Sequence, residues 1–145
     1  MIRHLFRDRR GATAVEFALV APAMLAMIFL LLEGGRMIWT QQVLQETAFA
    51  AARCMALKSS DCTDVSAMPA WAVTRARASG VRIAAGAVHI ESNAASNNPL
   101  CQNQPGMNGV AITSPFASRI GHILPVAGHG LTASACFPVA PTPSA

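Results

Sequence analysis

Residues 12–32 are twenty-one consecutive positions in which Glu16 is the single charged side chain. A bilayer core of about 30 Å takes roughly 20 helical residues, so this run is long enough to span it. A chain built around such a run gives part of itself to lipid. The composition agrees, with 52% apolar and only 12% charged residues, about half the charged share of an ordinary soluble domain.

The flanking charges set a topology. Residues 1–11 carry Arg3, Arg7, Arg9 and Arg10 against Asp8, which accounts for +3 of the net +4. Cationic flanks stay on the cytoplasmic side, which places everything after Leu32 on the far side, the periplasm in a bacterium. The basicity therefore reads as a topological signal. With no basic stripe interleaved with aromatics downstream, nucleic acid is not expected as a partner. A conventional secretory signal fits less well. Cleavage after Ala21-Pro22-Ala23 would leave an apolar core broken by Glu16 and strand residues 24–32 as an exposed apolar terminus. Arg9-Arg10 shares only its two arginines with a twin-arginine signal.

At the border of leader and span stand Gly11, four intervening residues, then Glu16-Phe17. This resembles the prepilin-peptidase site of type IV pilin-like precursors. The string Arg10-Gly11-Ala12-Thr13-Ala14-Val15-Glu16-Phe17-Ala18-Leu19-Val20-Ala21-Pro22 closely resembles the TadE-like minor pseudopilins of the tight-adherence (Flp, type IVb) pilus system. The resemblance is strong over residues 9–56 and vague afterwards. It implies cleavage between Gly11 and Ala12, with Glu16 becoming the fifth residue of the mature chain and Glu16-Phe17 serving subunit contact. It also implies a minor inner-membrane component of adhesive-pilus biogenesis. The partners implied are a prepilin peptidase, other pilins and minor pseudopilins, the inner-membrane assembly platform and membrane lipid.

Elementary energetics make these roles reasonable. A carboxylate in the first turn of a helix gains about 0.3–1 kcal/mol from the dipole when exposed. Taking a charge to mid-membrane costs roughly 2.5–3.5 kcal/mol on insertion scales. A partner cation removes that cost, and the amine freed at Ala12 is one. The plainer alternative leaves Glu16 at the headgroup level without a partner. Pro22 lacks a backbone donor and loosens the helix locally, and Ala14 and Ala18 have small-xxx-small spacing. Glu33 and Arg36 mark the exit from the span as a surface pair.

The helix is expected to continue. Residues 37–57 hold neither proline nor glycine. Met37, Leu44, Ala48, Ala51 and Met55 fall on one stripe, and Val43, Thr47, Ala50, Cys54 and Leu57 on its neighbour, so together they form an apolar face. Gln41, Gln42, Gln45 and Glu46 fill the other side. A continuous helix over 12–57 would measure about 69 Å. Trp39, just past the span, suits the aromatic interface belt, and Trp71 suits a core.

Further on, residues 59–64 read as a polar turn leading to a short helix over 65–78, regular from near Pro69 and closed by Gly80. Strands are expected over 87–92, 109–113 and 131–137. Residues 93–108 read as a loop and 116–130 as ambiguous. The economical fold is α+β, a long N-terminal helix packed on a small antiparallel sheet of two to three strands. The expected divisions are a cleaved leader (1–11), a membrane span (12–33), a helical extension (34–57), a periplasmic head (58–137) and a loose tail (138–145).

Cys54, Cys62, Cys101 and Cys136 all follow the span, and an even count on the oxidising side favours disulfides. Three connectivities are open. Cys54–Cys62 with Cys101–Cys136 is preferred, since it ties the helix end to its turn and a loop to the last strand. Metal binding is the rival, but no CxxC or zinc-module spacing exists. No catalytic constellation emerges. His4, His89, His122 and His129 are scattered, and the GxGxxA string at 128–133 precedes a strand instead of opening a helix. No enzyme, cofactor or metal is expected. The main alternative function is a single-pass anchored periplasmic interaction domain unrelated to pili, with an anchored enzyme a distant third.

Overall fold

The computed structural model describes residues 10–62, 64–92, 98–116 and 130–139. The basic leader up to residue 9, most of the ambiguous segment and the tail from residue 140 lie outside the described residues. The chain divides into two units, Met1–Arg36 and Met37–Ala145. Helix α1 (Arg10–Ala56) supplies the described part of the first unit and opens the second. It is long and apolar enough to cross a membrane. It runs through Pro22 without a break, a placement tolerated in membrane helices, where neighbours can satisfy the freed carbonyl.

In the second unit, α2 (Met68–Ala78) is followed by strands β1 (Val88–Glu91), β2 (Met107–Ser114) and β3 (Leu131–Pro138). The sheet is antiparallel with order β1-β2-β3. Val110 pairs with Ile90 on one side and Ala135 on the other. The fold is thus α+β with three strands, each placed where the sequence leads one to look. β2 begins two residues earlier than expected because Met107 and Asn108 find partners in Pro138 and Phe137.

The core lies between helices and sheet. From α1 it takes Val43, Leu44, Ala48, Ala51, Ala52 and Met55; from α2, Met68, Ala72 and Ala76, spaced four apart on one face. Val88, Val110, Ile112, Leu131, Ala133 and Ala135 meet them from the sheet. Alanine at five of the nine helical positions lets the helix backbones approach closely.

The apolar face expected of α1 needs two corrections. Met37 and Leu57 are exposed, at 44% and 56%, while Ala52 and Ala56, outside both expected stripes, are buried. Gln41 and Gln45, assigned to the solvent side, instead donate to the β3 carbonyls of Thr132 and Ser134 at 2.9 and 3.0 Å. β3 is an edge strand of this sheet, and among the described residues its outward carbonyls have no ladder partner. Glutamine on the flank of the apolar stripe reaches them.

α2 is delimited by local chemistry. Asp64 caps a 3-10 turn (Val65–Ala67), accepting the Ser66 N–H, and Pro69 follows at the head of α2, where a missing N–H costs nothing. At the other end Gly80 adopts φ +81°. The N–H groups of Gly80 and Val81 return to Arg77 and Ala76 at 2.9 and 3.0 Å, a Schellman closure that needs a left-handed residue.

Candidate functional site

The residues singled out at the leader border lie on the first turns of α1. Among the described residues α1 runs from Arg10, so the Gly11–Ala12 bond lies within helical backbone. Gly11 is exposed, and a Cβ built there would meet nothing within 4 Å. Nothing in the described packing therefore requires glycine at this position.

Glu16 and Phe17 follow on the same helix, both exposed, Phe17 at 73%. Glu16 lies on helical backbone four residues after Ala12. From Phe17 to Leu32 the large apolar side chains are all turned outwards, Leu19 at 76% and Leu31 and Leu32 at 66% each. Among the described residues this surface is uncovered. Glu33 and Arg36 pair through both guanidinium contacts, Nη2 to Oε1 at 2.9 Å and Nε to Oε2 at 3.2 Å. That pairing matches the surface pair expected at the end of the apolar run.

The second unit is stapled by Cys54–Cys62 and Cys101–Cys136, the pairing the sequence favours among three. The first joins the last turn of α1 to the polar turn after it. The second joins the 3-10 turn Pro99–Cys101 to β3 and covers the far face of β2. Asn98, fully buried, organises this turn. Its Oδ1 accepts the Cys101 N–H at 3.1 Å, and its Nδ2 donates to the Met107 carbonyl at 3.4 Å. Gly109 is packed against both partners. A Cβ there would lie 2.9 Å from Cys101 Sγ and 3.1 Å from Asn98 Nδ2.

Trp39 is 60% exposed, and its indole N–H donates to the Ser79 carbonyl at 3.3 Å. It therefore also helps fasten the C-terminal end of α2 to α1. Trp71, expected in the core, is only half-buried; its ring packs against the core edge and lies 5.5 Å beneath the Arg75 guanidinium. Asp64 is held below the ordinary aspartate range by the hydroxyl and the N–H of Ser66. Among the described residues no group of three or more His, Cys, Asp or Glu side chains is placed to hold a metal ion. His89 is exposed on β1; His4, His122 and His129 lie outside the described residues.

Sequence reasoning missed the Gln41–Gln45 contact, the Asn98–Gly109 packing and the arginines beside Trp71. Only the four-residue spacing of the two glutamines signals the first. The other two depend on which segments meet.

No curated protein and no solved structure matches the chain. The family model described as TadE-like protein matches residues 11–53, from Gly11 through the apolar run and well into the second unit. Over that segment the chain is similar to TadE-like proteins.

Proposed function

We propose that this chain is a minor pseudopilin, cut by a prepilin peptidase between Gly11 and Ala12 and acting in biogenesis of an Flp-type adhesive pilus. In this reading the leader stays cytoplasmic, the apolar run anchors the protein in the inner membrane and the second unit stands in the periplasm. Its role is assembly and not catalysis. The observation that carries the reading is the TadE-like match itself, which opens on Gly11 and covers Glu16 and Phe17. The open space around Gly11 adds support. A glycine that no described residue packs against fits recognition by a processing enzyme.

Glu16 would cross into lipid with the amine of Ala12 as a partner, on its own or a neighbouring subunit. Such pairing offsets the cost of a lone membrane carboxylate. Glu16→Ala is expected to insert normally yet impair piliation, whereas full piliation would make the glutamate merely interfacial.

N-terminal sequencing of the protein extracted from membranes tests the processing step. A chain beginning at Ala12 is expected, and Gly11→Arg should block its appearance. An intact Met1 would favour the rival reading, an anchored interaction domain with no pilus role.

A further inference from the structure

The second unit carries a groove of about 350 Å³ between α1 and α2, lined on one side by Glu46, Phe49, Arg53 and Leu57 and on the other by Trp71 and Arg75. The α1 residues follow at steps of three, four and four, one face of a helix; the Leu57 N–H bonds to the Arg53 carbonyl, carrying that face one residue past the helix end. Trp71 and Arg75 stand one turn apart on α2. Phe49 is 48% exposed and Leu57 56%, so the floor is an open apolar surface. The Phe49 ring is steadied edge-on by Phe137, with centroids 5.8 Å apart, and Arg75 is steadied over Trp71.

The charges on this floor are unbalanced. Among the described residues the one ion pair is Glu33–Arg36, so neither Arg53 nor Arg75 has a carboxylate partner. Aromatic residues and arginine on one preformed surface are the composition of interface cores and hot spots. Two helical walls around an apolar floor suit the insertion of a third helix.

We propose that this groove docks an amphipathic helix of a different membrane-anchored subunit, with apolar side chains on Phe49, Leu57 and Trp71 and carboxylates on Arg53 and Arg75. Glu46 lies two turns before Arg53, about 10.5 Å along α1, so the docked helix carries a cation about seven residues from its carboxylates. That pattern fixes its direction.

A second copy of this chain fits less well. Copies anchored by the same helix in one membrane run α1 in the same direction. Two-fold symmetry about an axis along the helices then sets Arg53 against Arg53 and Glu46 against Glu46. The inference rests on the pseudopilin reading only in taking the partner from the same membrane assembly. Cleavage at Gly11 is measured separately in the same cells, so the two can fail independently.

The test uses the full chain in its native membrane, with a photo-crosslinking residue at position 49 or 57 and, as control, at the exposed position 89. Crosslinked peptides are identified by mass spectrometry. The expected result is one and the same acidic helical segment of another anchored protein at both groove positions and none at the control. Arg53→Glu with Arg75→Glu is expected to reduce that crosslink to background while the Cys54–Cys62 disulfide still forms. Reversing the partner's carboxylates to lysine should restore it. Crosslinks to a second copy or to lipid would overturn the proposal, as would no crosslink or one indifferent to charge reversal.

Discussion

The side-chain amide of Gln45 donates to the backbone carbonyl of Ser134 at 3.0 Å, and Gln41, one helical turn earlier, makes the equivalent bond to Thr132. The fit is geometric. Four helical residues rise about 6 Å, and two strand residues advance about 6.8 Å, so glutamines at i and i+4 reach alternate carbonyls of a strand running alongside.

Replacing both glutamines by leucine is therefore expected to destabilise the second unit. With about 0.5–1.5 kcal/mol net for each bond, and both near the surface, the loss should total about 1–2 kcal/mol. Thermal unfolding of the full chain in detergent measures it. Gln42→Leu is the control, because Gln42 is exposed and makes no such bond.

Gly109→Ala is expected to cost about 1–3 kcal/mol, the usual range for overpacking a filled interior. The added methyl would fall 2.9 Å from Cys101 Sγ, on the strand position that pairs with Cys136. The same variant should leave a larger fraction of Cys101 and Cys136 reduced, which thiol alkylation and mass measurement would count.

The two disulfides should differ in weight. Cys54–Cys62 closes 8 residues and Cys101–Cys136 closes 35. Loop-closure entropy then gives about 2.5 and about 3.8 kcal/mol respectively. Paired Cys→Ser variants, compared by denaturant unfolding, are expected to show the larger loss for Cys101 with Cys136.

Asp64 gives a pH dependence with a definite sign. The Ser66 hydroxyl and then its N–H hold the folded carboxyl below the ordinary value of 3.8. The bonds contribute stability that is fully present above 3.8 and is lost as pH falls through the lower, folded value. Carboxyl chemical shifts followed by NMR should place the Asp64 midpoint below 3.8, and Ser66→Ala should move it upward.

How legible all this was depends on range. The long helix, its apolar run and the α2 segment are written in local patterns: charge spacing, Pro69 at the start, Gly80 at the stop. The three strands were found by alternation and turn residues, although β2 gained Met107 and Asn108 from pairing that no local pattern encodes. Gln41 and Gln45 were misplaced because polarity alone assigns them to water, while the carbonyls they satisfy lie about ninety residues away. Trp71 was misplaced for a similar reason. Its ring is large enough to touch the core and still carry Arg75 on its outer face. Gly11, Glu16 and Phe17 are readable as a motif, yet among the described residues nothing packs around Gly11, and Glu16 and Phe17 are exposed.

The glutamine pair bears on polymer architecture. Endless β-stacking of subunits needs two available sheet margins on each, and here the margin along Thr132 and Ser134 is already occupied by amides from α1. A strand from another chain pairing there would first have to displace both amides.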